Sequence, residues 1–164
     1  MKKVMVRFAV VIMLATVVMF AFTGCNMETH QMNDQYVSSV KEMVNDSVTY
    51  TRKLRQQDEG FDCHDNEKIR GYLLVTDDLI NTFEKIQTLK STDEFDEMDI
   101  ELKRVSKQAL TMISQLKQMV VYAQQSGSDA IYQREKNGYF DQYYSYYEDL
   151  RSISSEIQTY WRNA

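Results

Sequence analysis

The run Phe95–Ala123, FDEMDIELKRVSKQALTMISQLKQMVVYA, decides how this chain must fold. Phe95, Met98, Leu102, Val105, Ala109, Met112, Ile113, Leu116, Val120 and Ala123 recur every three or four residues. That spacing tracks the 3.6-residue α-helical turn, so these side chains form one apolar stripe with polar residues on the other faces. The stripe holds for about four heptads and needs partner helices of similar length to cover it. Ser91-Thr92-Asp93-Glu94 precedes it as a capping box: the Ser91 hydroxyl can accept from the Glu94 amide while the Glu94 side chain reaches back. Gly127 follows at the C′ position, where a left-handed residue ends a helix. A helix over 92–125 is expected.

Three further stretches offer matching stripes. Val37, Val40, Val44, Val48, Thr51 and Leu54 predict a helix over 34–57. A loop from Gln56 to Asp65, centred on Gly60, leads into a second helix over 66–90 with Asp65 as N-cap. Its stripe is Ile69, Tyr72, Leu73, Thr76, Leu79, Ile80, Phe83 and Ile86. Asp129 opens the fourth, where Tyr132, Tyr139, Tyr143, Tyr146, Leu150, Ile153, Ile157 and Tyr160 line up. Asn137-Gly138 interrupts this segment, which is either one helix or a short one at 129–136 and a longer one at 139–161. The chain contains no proline and five glycines. All-β domains need turn residues far more often. The expected fold is all-α: an up-down antiparallel four-helix bundle over 34–164.

The N-terminus has a different character. Lys2, Lys3 and Arg7 precede an uncharged apolar run, Phe8–Phe22. About 15 residues are too few to span a bilayer comfortably as a helix. A basic start, an apolar middle and a small-residue exit describe a secretory signal. Phe22-Thr23-Gly24-Cys25 then resembles the lipobox of bacterial lipoproteins, in which an aliphatic residue, a small residue and Gly or Ala precede an invariant Cys. The resemblance covers residues 1–25 and departs from the pattern at Phe22, where Leu is commonest. It implies cleavage between Gly24 and Cys25 and a diacylglyceryl group on the Cys25 thiol, with further acylation such as palmitate. It also implies a lipid-anchored protein on the extracytoplasmic side of a cell membrane. Asn26 stands where some Gram-negative bacteria place an Asp that retains lipoproteins at the inner membrane, so in such a cell the outer membrane is implied. Residues 26–33 would form a short polar tether, and eight residues reach at most about 28 Å.

Charge narrows the partners. The segment before Cys25 holds three of the 19 basic residues and none of the 24 acidic ones. The remainder therefore has 16 basic and 24 acidic groups, a net charge of −8. This argues against nucleic acid and against a polybasic grip on anionic lipid.

Three features are candidates for function. Tyr139, Phe140, Tyr143, Tyr144, Tyr146 and Tyr147 crowd nine residues. If Tyr139, Tyr143 and Tyr146 face the core, then Phe140, Tyr144 and Tyr147 form a neighbouring strip. That strip is a candidate interaction face, or else the helix is buried widely with its hydroxyls at the rim. The loop from Asp58 to Glu67 contains Asp62, Cys63 and His64, but Cys63 and His64 are adjacent, whereas zinc pairs leave two to four residues between ligands. No metal is expected there. Cys63 has no partner in the chain once Cys25 carries lipid. It is a candidate free thiol, open to a disulfide-linked dimer or buried as a small hydrophobe.

Nothing in the sequence marks an enzyme or a cofactor site. The two histidines are His30 and His64, and no phosphate loop, nucleophile elbow or metalloprotease helix is visible. The expected function is a non-catalytic protein-interaction module at the cell envelope, with an envelope or surface protein as partner. The alternative is a small-molecule-binding lipoprotein with a pocket lined by the Tyr-rich helix.

Overall fold

The computed structural model describes the chain from Lys2, with side chains from Thr29 onward. Phe22, Gly24 and Cys25, at the expected processing site, lie outside the residues described with side chains. Four helices follow in order: α1 (Lys2–Asp58), α2 (Asn66–Thr88), α3 (Asp96–Ser126) and α4 (Ala130–Asn163), with a 3-10 turn, Asp93–Phe95, leading into α3. Each helix packs on its neighbours in the chain, and α4 closes the ring against α1. The fold is an all-α four-helix bundle.

The stripes supply its core. Val40, Leu54, Tyr72, Leu79, Phe83, Ile86, Leu102, Val105, Ala109, Ile113, Leu116 and Val120 are fully buried. Each large apolar side chain among them contributes about 1.5–3 kcal/mol through removal from water. The few buried polar residues are satisfied locally or paired. Thr51 donates to the Ser47 carbonyl at 2.6 Å. Asp99 pairs with Lys103 at 2.6 Å and accepts from the Tyr36 hydroxyl at 3.0 Å.

Asp65 caps α2 as expected, accepting from the amides of Glu67 and Lys68. Gly127 ends α3 with φ 63°, a left-handed conformation that a Cβ would strain. Two expectations need correction, and one alternative left open is decided. The capping box does not form: Ser91 donates instead to Asp96, and Glu94 turns toward α1, where it accepts from Asn33. The helix expected to start at residue 34 runs unbroken through the tether segment. Asn33 is already buried, held between Glu94 and the Thr92 hydroxyl. Asn137-Gly138 does not break α4, which is one helix. Gly138 sits exposed on its outer face, where nothing opposes continuation.

Candidate functional site

The aromatic segment of α4 occupies the bundle wall facing α1. Its buried positions are Tyr132, Phe140, Tyr143, Tyr147, Leu150, Ser154 and Ile157. Phe140 and Tyr147 are only 6% and 8% exposed, and Tyr144 is half-buried. Of the strip offered as a candidate interaction face, Phe140 and Tyr147 are therefore enclosed and Tyr144 partly so, as the wide-burial alternative describes. Tyr139, Tyr146 and Ile153 flank the seam, partly buried. The physical reason is that α4 packs against both α3 and α1. A helix with two neighbours buries a broad face, so both aromatic strips are used.

These rings fill space by stacking. Phe140 and Tyr144 lie 5.9 Å apart at 21°, and Tyr143 contacts both Tyr144 and Tyr147. The Tyr143 hydroxyl shares a 2.5 Å hydrogen bond with Thr51. Burial pushes the Tyr143, Tyr144 and Tyr147 phenols above the ordinary tyrosine range; the Arg55 charge opposes this at Tyr144, and Arg151 at Tyr147.

At the outer edge of this stack, α1 and α4 leave an open groove of about 260 Å³. Val48, Thr51, Arg52 and Arg55 line one side, and Tyr144, Tyr147 and Glu148 the other. Arg52 and Arg55 were not singled out in the sequence. Their signal is present there: two cations one turn apart, on the flank of the α1 stripe.

A second aromatic surface was also missed. Tyr122 is 52% exposed on α3, between two shallow grooves of about 410 and 400 Å³. Ile80, Lys117 and Val121 line the first, and Met119, Ile131 and Tyr139 the second. A large aromatic lying off an otherwise regular apolar stripe is the sequence signal that could have found it.

The loop between α1 and α2 lies at the opposite end from the N-terminal part of the bundle. Phe61 is buried, with its ring 4.3 Å from that of Tyr132. Cys63 is a free thiol only 6% exposed, so an intermolecular disulfide would require the loop to open. Donor atoms of Asp62, Cys63 and His64 come within 4.8 Å of one another, close enough for three donors to hold a metal ion. Asp62 Oδ1 already accepts from the His64 amide at 2.9 Å.

The other end gathers His30, Asp34 and Trp161. The His30 and Trp161 rings are 4.6 Å apart. Asp34 accepts from Trp161 Nε1 at 2.6 Å and lies 3.3 Å from His30 Nδ1. Phe95 is buried beneath Tyr160 and Trp161.

Among the described residues, no helix is long and apolar enough to cross a membrane. No protein-family model, no curated protein and no solved structure matches this chain.

Proposed function

We propose that this chain is a lipid-anchored lipoprotein of the cell envelope whose helical bundle is a non-catalytic module for binding another envelope or surface protein. The supporting observation is the groove between α1 and α4, where Arg52 and Arg55 face Tyr144 and Tyr147 across an open cleft. Arg and Tyr are the side chains most often found at the energetic centres of protein interfaces, because each combines a broad apolar surface with directional hydrogen bonding. The guanidinium groups suit a partner that presents carboxylates, and Glu148 at the rim would restrict how such a segment lies.

The alternative, a small-molecule site, draws on the same groove. Its volume falls just below the usual range for ligand pockets, about 300–1,000 Å³, and its open side would leave a ligand largely wet. The inward rings stack on one another, which favours the protein partner.

The test is a cross-linked pull-down of the lipidated protein from its own cells, beside an Arg52→Glu/Arg55→Glu variant. Both arginines are exposed, so the variant should fold. One protein captured by the wild type and lost with the variant would support the interaction module. No specific capture by either would overturn it and leave the ligand reading for small-molecule screening.

A further inference from the structure

We propose that the end of the bundle carrying Trp161 sits in the headgroup layer of the membrane, so that aromatic side chains as well as lipid hold the protein against the bilayer. The inference rests on the lipid-anchored reading above. It concerns a surface that the anchor alone does not specify.

Helix α1 is continuous from before Cys25 to Asp58. Five residues at 1.5 Å each place His30 only about 8 Å along the axis from Cys25. Trp161 stands at the height of His30, through the ring contact and the hydrogen bond to Asp34. Tyr160 and Met32 at this end are 46% and 56% exposed. An acyl anchor on Cys25 therefore holds these residues within about 8 Å of the hydrocarbon boundary, at the level of the headgroup region, which is about 5–8 Å deep on each side of the bilayer. Trp and Tyr concentrate at that depth because an apolar ring and a polar tip are accommodated together.

The loop around Cys63 is far from this end. From Asn33 to Asp58, 25 residues of α1 span about 38 Å. Charge at the Trp161 end is net acidic: Lys90 and Arg162 against Asp34, Asp93, Glu94, Asp96 and Glu97. Ring insertion, not attraction to anionic lipid, would then supply the contact, and its strength should not rise when anionic lipid is added.

Trp161 is the only tryptophan in the chain, so its fluorescence reports on this end alone. The experiment uses the lipidated protein in phosphatidylcholine vesicles brominated at shallow or deep acyl positions. The control reporter is Tyr122→Trp in a Trp161→Phe background, placed near the far end of α3. Shallow bromine should quench Trp161 at least about twofold more than the far reporter, and more than deep bromine does. Wild-type protein alone provides the shallow-against-deep comparison should the control variant fail to fold. A protein that floats with the vesicles while Trp161 stays unquenched overturns the proposal and leaves the anchor intact. A protein that does not float overturns the anchored reading, and the proposal with it.

Discussion

The Tyr132 hydroxyl donates to Asp58 Oδ1 at 2.5 Å, joining the last residue of α1 to the first turn of α4. The same carboxylate oxygen accepts from Lys136 at 2.8 Å, and the Tyr72 hydroxyl lies 3.1 Å from that of Tyr132. Three helices thus meet at one polar cluster beneath Phe61. Asp58→Ala would strand a half-buried ammonium and a buried phenol, and should destabilise the fold by about 1–3 kcal/mol. Tyr132→Phe leaves the Asp58–Lys136 pair intact and should cost about 0.5–1.5 kcal/mol. Urea unfolding followed by helical circular dichroism checks both; equal midpoints for the two variants and wild type would sink the account.

The phenols set an alkaline limit. Burial, reinforced at Tyr36 by Asp99 and at Tyr132 by Tyr72 and Asp58, raises both phenols well above the ordinary range. Burial does the same at Tyr72 and Tyr143, where hydrogen bonding with Tyr132 and with Thr51 partly opposes it. A raised folded-state pKa means the native state holds its proton more tightly than the unfolded chain. The resulting stability is fully present below the unfolded value near pH 10 and is lost as pH rises above it. Phenolate absorbance should therefore rise in two steps, exposed tyrosines first and these four together with loss of helix.

Two glycines should respond in opposite directions. Gly138 lies inside α4, and a Cβ added there would meet nothing within 4 Å, so Gly138→Ala should stabilise by about 0.5–1 kcal/mol. Gly127 holds φ 63°, and Gly127→Ala should destabilise the bundle by a similar amount. Thermal melts of the two variants should bracket the wild type.

The aromatic strip divides by burial. Tyr147→Glu places a carboxylate at a position 8% exposed and should cost at least about 3 kcal/mol. Tyr144→Glu is half-buried at the groove edge and should cost roughly 1–2 kcal/mol. A binding defect in the Tyr144 variant without a large drop in melting temperature would mark the groove as the interface.

Cys63 should react slowly. Its burial predicts alkylation at least about tenfold slower in the native protein than in denaturant. Added Zn²⁺ should leave the melting temperature unchanged, since three consecutive donors fall short of the four that close a structural zinc site. Rapid labelling, or a Zn²⁺-dependent rise in stability, would show that the loop opens or binds metal.

The stripe Phe95–Ala123 was sufficient to require a bundle, because helical periodicity is a local property carried by consecutive residues. Asp65 and Gly127 marked helix ends for the same reason: a cap depends on neighbours a few positions away. Other outcomes depended on residues far apart in the chain. Glu94 turned to Asn33, 61 positions away, and a capping box that was locally sound did not form. Gly138 remained helical because the packed segments on either side carry the helix through it.

The orientation of the Tyr-rich segment was likewise undetermined by its own spacing. Two overlapping strips, 139–143–146 and 140–144–147, fit the helical period equally well. Only the presence of α1 on one side and α3 on the other buried both, and only their separation left Arg52 and Arg55 facing Tyr144 across a groove. The sequence by itself determined which segments are helical and which face of each is apolar, through 3.6-residue periodicity. Tertiary structure decided which aromatic rings are enclosed and which charges meet them, because burial depends on neighbouring helices that local spacing does not encode.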